Sequence, residues 1–169
     1  AYECSTVVEC RVGNARKVIY TQWLNERGGI EADLTIARIN EESFDVVTSI
    51  SSLKRDWSHL NKHLKADTNV TDITMDYACL SVQGPQSRIV LQNITNIDLT
   101  NDHFIFGTGK YAKISGTKLW IQKLSYVGEL GWELFIPSVD AQKVYLAIKQ
   151  EGKKYQICDV GLHAVNSLR

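Results

Sequence analysis

Methionine and proline are nearly missing from this chain: one Met, Met75, and two prolines, Pro85 and Pro137, among 169 residues. A chain that opens at Ala1 without an initiator reads as a processed or excised piece of something longer. An excess of either charge is also missing. Nineteen Lys and Arg stand against nineteen Asp and Glu, so no overall field favours nucleic acid or an anionic membrane surface. Apolar runs fall far short of the roughly 18 residues that span a bilayer, and no basic-then-apolar leader opens the chain. The expectation is a soluble protein that binds neither nucleic acid nor membrane. Cysteine is sparse: Cys4, Cys10, Cys79 and Cys158 form no C-x-x-C pair. Cys79 and Cys158, with apolar neighbours, are expected to act as small core residues in a reducing compartment. Asn69-Val70-Thr71 and Asn93-Ile94-Thr95 match the glycosylation acceptor, but such short matches arise by chance and no secretion signal accompanies them. Motifs that would build a phosphate cradle or a serine-hydrolase elbow are absent.

What is present is the composition of a globular domain, 44% hydrophobic and 22% charged, long enough for one core. Lys17 to Leu24 is rich in β-branched and aromatic residues, and Arg27-Gly28-Gly29 offers a tight turn. Leu34 to Ile39 and Phe44 to Ile50 continue a meander. Leu53, Trp57, Leu60 and Leu64 recur at helical spacing, with Ser51 or Ser52 as the cap. Ala78 to Val82 returns to strand, and Gly84-Pro85 breaks it before a short helix from Gln86 to Ile94. Tyr111 to Ser115 and Lys118 to Tyr126 form a hairpin turning at Gly116, followed by a strand from Trp132 to Ile136. Ser138 to Gln150 reads as a helix stopped by Gly152. In Gly161 to Arg169, Leu162, Val165 and Leu168 keep helical spacing to the last residue, as if a helix had been cut. Strands and helices alternate without regular βαβ units, which predicts an α+β fold.

Two places could carry chemistry. Asp33 follows a double glycine and opens a β-rich segment, where a carboxylate can be held at the lip of a cleft; it could equally be a solvated aspartate ending a turn. Glu129 and Glu133 flank Gly131, and in an extended segment side chains four apart share a face. Both carboxylates would then look into one pocket beside Tyr126 and Trp132. Such a pocket suits a flat heterocycle with several N–H donors, because a carboxylate accepts two parallel hydrogen bonds while an aromatic face stacks on the ring. The alternative is the polar face of an edge hairpin. His59 and His63, four apart with Asp56 nearby, have the spacing of a metal pair but lack the H-E-x-x-H glutamate and sit among lysines, so they read as a solvated helix face and no metal is expected.

The stretches YTQWLNERGGIEADLTIARI (Tyr20 to Ile39), LSVQGPQSRIVLQ (Leu80 to Gln92), LSYVGELGWELFIP (Leu124 to Pro137) and GLHAVNSLR resemble successive landmarks of the aminomethyltransferase-type folate-binding domain. That family includes the glycine cleavage T-protein and the carboxyl-terminal halves of sarcosine and dimethylglycine dehydrogenases. NERGGIEADLT, QGP and VGELGWELFIP look closer to the dehydrogenase branch; the T-protein typically has two aspartates where this chain has Ala32-Asp33. The resemblance implies an α+β fold of antiparallel sheets with packed helices, and a partial tetrahydrofolate-binding domain over residues 1–169, without the flavin domain of the parent. It gives Asp33 the catalytic role, Tyr20 and Tyr126 places in the folate pocket, and Glu129 the hydrogen bonds to the pterin's amino group and ring N–H. The partners implied are folate, a small methylated amine and a flavin domain of the same parent chain carrying FAD, in the mitochondrial matrix. The alternatives are a free glycine cleavage aminomethyltransferase and a non-catalytic relative resembling the regulatory subunit of pyruvate dehydrogenase phosphatase. One departure is plain: Val165-Asn166 stands where the T-protein carries an Arg-Asp pair. A chain of this extent is not expected to oxidise sarcosine by itself.

Overall fold

A computed structural model describes residues 16–168. They divide into two compact units, the first ending at Asp72 and the second beginning at Ile73. The apolar residues accordingly gather in two clusters, where chain length alone suggests one.

The first unit is a meander of β1 (Val18–Leu24), β2 (Ile30–Arg38) and β3 (Phe44–Val47), antiparallel in the order β1-β2-β3, followed by helix α1 (Leu53–His63). The β1–β2 turn is built by Asn25. Its Oδ1 accepts from the backbone N–H of Arg27 (3.0 Å) and of Gly29 (2.9 Å), an Asx turn that does locally what a ladder bond would do. Gly28, at φ +78°, supplies the left-handed residue the turn needs. Alternation then sorts the two faces: Ala32, Leu34 and Ile36 are buried, with Ile19 and Trp23 packed on them. Tyr20, Gln22 and Asp33 are exposed on the other face. The stripe of α1 departs from expectation. Trp57 is exposed, Leu53 and Leu60 are half-buried, and the one buried residue of the helix is Asp56. Asp56 accepts hydrogen bonds from Thr48 Oγ1, from Ser52 Oγ at 2.7 Å and from Arg55 Nε at 2.9 Å. Ser52 holds the N-cap position, but its hydroxyl goes to that carboxylate and caps no backbone N–H.

The second unit carries a sheet of order β4-β7-β6-β5, every pairing antiparallel: β4 (Tyr77–Gln83), β5 (Gly109–Ile114), β6 (Thr117–Gln122) and β7 (Gly131–Pro137). Helices α2 (Ser87–Gln92) and α3 (Ala141–Gly152) contribute Val90, Leu91, Val144 and Ile148 to a core shared with Val82, Ile114, Leu119, Ile121, Trp132, Leu134 and Ile136. Helix α4 (Leu162–Leu168) follows, half-buried at Val165 and exposed elsewhere. The β5–β6 hairpin turns on Ser115 (φ +50°) and Gly116 (φ +82°), the signs a two-residue type I′ loop requires. The α-helix ends at Gly152, as expected, but this glycine keeps a right-handed conformation, φ -70°. The chain continues through a 3-10 turn, Lys153–Tyr155, and reverses at Gln156, φ +58°. Gly152 is needed for close packing instead: a Cβ there would lie 2.5 Å from Ile157 Cγ2. Cys79 and Cys158 are both exposed and fill no core position, because Cys79 lies on edge strand β4 and Cys158 in an irregular segment. No helix among the described residues is long and apolar enough to cross a membrane.

Candidate functional site

In the first unit the sheet joins two of the residues singled out from sequence. Register pairs Tyr20 with Thr35 and Gln22 with Asp33, so Tyr20 and Asp33 are diagonal neighbours on one face, within reach of a long side chain. The Tyr20 hydroxyl donates to Asp33 Oδ2 at 2.5 Å. The aspartate is therefore neither at a strand start nor in the turn: it is the fourth residue of β2, its carboxylate oriented by a phenol on the neighbouring strand. Both side chains are exposed, Tyr20 at 56%. The histidines of α1 take part in an aromatic stack. Trp23 lies on the His59 ring at 5.5 Å and 21°, and His63 follows at 4.4 Å; His63 Nδ1 is 2.8 Å from the backbone oxygen of His59.

In the second unit, the segment between β6 and β7 builds a cleft of about 360 Å³ lined by Phe106, Lys123, Ser125, Glu129, Leu130 and the glycines Gly128 and Gly131. Glu129 is on its wall and exposed. The expected pairing with Glu133 does not form. β7 begins only at Gly131, so Glu129 lies in a run of bends where the two-residue period does not hold. Glu133, inside the sheet, accepts from Gln122 Nε2 at 2.8 Å. Trp132 is fully buried in the core and is not among the residues that line this cleft. Tyr126, 42% exposed, makes a long 3.5 Å contact from its hydroxyl to Asn166 Oδ1 of α4.

The cleft holds residues that sequence patterns did not flag. Ser125 Oγ is buried and has no hydrogen-bond partner among the described residues. The same is true of Gln83 Oε1, which packs so closely on Gly131 that a Cβ there would lie 1.9 Å away. Lys123 is 5% exposed. Its Nζ donates to Asn101 Oδ1 (2.8 Å) and to the Phe104 carbonyl (3.0 Å). Burial pushes its pKa below the usual lysine range, and the charge of Arg88 adds to that. No pattern marks these positions: a lysine after WIQ reads as the polar end of a strand, and a serine in a bend as a loop residue.

Among the described residues, antiparallel sheets accompanied by four helices make a fold of the aminomethyltransferase type. The GCVT N-terminal domain model matches residues 4–169, and the chain belongs to that family. Human mitochondrial sarcosine dehydrogenase is 34% identical over 166 residues, covering 89% of this chain and 18% of that protein. An aminomethyltransferase of Listeria monocytogenes is 31% identical over 163 residues, covering 96% of this chain and 43% of that protein. Among solved structures, glycine cleavage system aminomethyltransferase T from Bartonella henselae superposes with a TM-score of 0.76 at 27% identity, over 92% of this chain and 40% of that one. The chain thus spans less than half the length of each of these relatives.

Proposed function

We propose that the chain is the folate-binding portion of a mitochondrial flavoprotein that oxidatively demethylates sarcosine or dimethylglycine and passes the one-carbon unit to tetrahydrofolate. The observation that carries this reading is the cleft of the second unit. Its volume, about 360 Å³, falls in the range of small-molecule sites. A carboxylate on its wall and a buried, partnerless hydroxyl at Ser125 leave hydrogen-bonding capacity that folding has not used, and buried polar groups without partners are rare in folded proteins.

The donor set fits a pterin. Glu129 accepts two parallel hydrogen bonds, as an exocyclic amino group beside a ring N–H demands, and Tyr126 offers an aromatic face beside it in sequence. Bound tetrahydrofolate supplies the nitrogen that takes up the one-carbon unit. For Asp33 we carry over the family's catalytic role: a carboxylate that stabilises a neighbouring cation and holds a departing proton. Tyr20 fixes the orientation of Asp33 through the 2.5 Å hydrogen bond. The flavin domain and FAD are assigned to a segment outside this chain, and the mitochondrial matrix is the compartment proposed.

Calorimetric titration with tetrahydrofolate tests the reading on the chain and on Glu129→Ala and Asp33→Asn. Saturable binding that Glu129→Ala weakens by about tenfold or more, the value of one charge-assisted hydrogen-bond pair, supports it. Absence of binding by the unaltered chain removes it in favour of a non-catalytic relative.

A further inference from the structure

We propose that Lys123 reads an acceptor oxygen on the ligand of the cleft it shares with Glu129, which for a pterin is the 4-oxo oxygen of the ring. The inference rests on the folate reading above and deepens it.

A lysine that is 5% exposed normally has a carboxylate for company, because an ammonium removed from water without a counter-charge is costly. Lys123 has none among the described residues. Both of its acceptors, Asn101 Oδ1 and the Phe104 carbonyl, are neutral. The charged group acting on it is Arg88, of the same sign. Arg88 Nη2 donates to the same Asn101 oxygen at 2.6 Å, so two cations share one neutral atom. Their heads lie 5.7 Å (Lys123) and 5.9 Å (Arg88) from the Trp132 ring centre, where the ring's quadrupole offsets a part of the charge.

An ammonium has three protons to donate, and two have recipients here. The third, with a positive charge that no carboxylate balances, belongs to a residue lining the cleft. Glu129, which also lines the cleft, is an acceptor only. The two residues therefore ask for a ligand that presents donors on one edge and an electron-rich oxygen on another. A 2-amino-4-oxo ring does so; its 4-amino counterpart puts a donor where Lys123 needs an acceptor. Pinning of the 99–108 loop is the competing role for Lys123, and it makes no distinction between the two ligands.

The test compares tetrahydrofolate with tetrahydroaminopterin, its 4-amino analogue, by calorimetry on the unaltered chain and on Lys123→Met and Lys123→Arg. The expected result is that Lys123→Met shifts the affinity ratio by about tenfold or more toward the 4-amino compound, while Lys123→Arg keeps the original ratio. A uniform loss for both ligands, or no change, overturns the inference and leaves the folate reading standing. If the unaltered chain binds tetrahydrofolate nowhere, both fall together. Should Lys123→Met fail to fold, Lys123→Gln retains a donor for Asn101 without the charge. Should that fail too, the ratio measured on Glu129→Ala decides, because the 4-amino ring also lacks the N–H that Glu129 accepts: a remaining preference for the 4-oxo compound supports the inference, and none overturns it.

Discussion

Replacing Gly109 by alanine puts the packing of the second unit under direct stress. Gly109 is buried at the start of β5 and paired with Gln122. An added Cβ would lie 2.2 Å from Trp120 Cζ2, 2.6 Å from Cε2 and 2.9 Å from Nε1. The obstacle is a rigid indole, 5% exposed, set edge-on against Tyr111 at 5.1 Å, so it cannot swing away as a chain end would. Overpacking of this kind costs about 1–3 kcal/mol. A displaced ring also loses the bond from Trp120 Nε1 to Gln122 Oε1, 3.2 Å, about 1 kcal/mol more. The expected loss is about 2–4 kcal/mol, a large share of the roughly 5–15 kcal/mol that holds a domain folded. It should appear as a midpoint lowered by roughly 4–16 °C. Thermal unfolding gives that midpoint and urea denaturation followed by tryptophan fluorescence gives the free energy. The double variant Gly109→Ala with Trp120→Leu should lose less than the two single losses added, because the clash is gone. A Gly109→Ala protein within about 0.5 kcal/mol of the original, or an additive double variant, would refute the reasoning.

Three further outcomes can be checked. Ser115 stands at φ +50° in a turn that asks for two left-handed residues, so Ser115→Asn should stabilise the hairpin by about 0.5–1 kcal/mol in the same assay. The carboxyl of Asp56 is pushed up by burial, but hydrogen bonds from Thr48, Ser52 and Arg55 and the Arg55 charge outweigh this and hold it below the usual carboxylate range. A depressed folded value stabilises above the unfolded pKa of about 3.9 and is lost as pH falls through the folded one. The gap in stability between the original chain and Asp56→Asn should therefore be widest near neutral pH and close in acid; a gap independent of pH would contradict it. For Tyr20 and Asp33, a double-mutant cycle of Tyr20→Phe and Asp33→Asn in denaturant should return a coupling of about 0.5–1.5 kcal/mol, small because the pair is exposed. Zero coupling would mean that the phenol does not orient the carboxylate.

The local elements were mostly legible. The turn at Arg27-Gly28-Gly29, the hairpin at Gly116 and the strands of both sheets fall where alternation and glycine place them, with ends shifted by a few residues. Two failures share one cause. The face-sharing of Glu129 and Glu133 assumed one extended segment, whereas regular pairing begins at Gly131. The apolar stripe of α1 assumed that periodicity decides burial, whereas Asp56 is buried because three side chains satisfy its charge. The first depends on where a ladder starts and the second on which nearby side chains turn toward the carboxylate, and spacing contains neither.

Sequence alone determined the α+β class and the antiparallel hairpins and put forward candidate residues, since periodicity, turn chemistry and motif are properties of neighbouring positions. The tertiary structure decided which of them meet. It brought Tyr20 to Asp33 across a register of thirteen residues, sent Glu133 to Gln122, and placed an ammonium at Lys123 among neutral acceptors beside Glu129's cleft. Hydrogen bonds act over about 3 Å, and only the folded chain sets which atoms come that close.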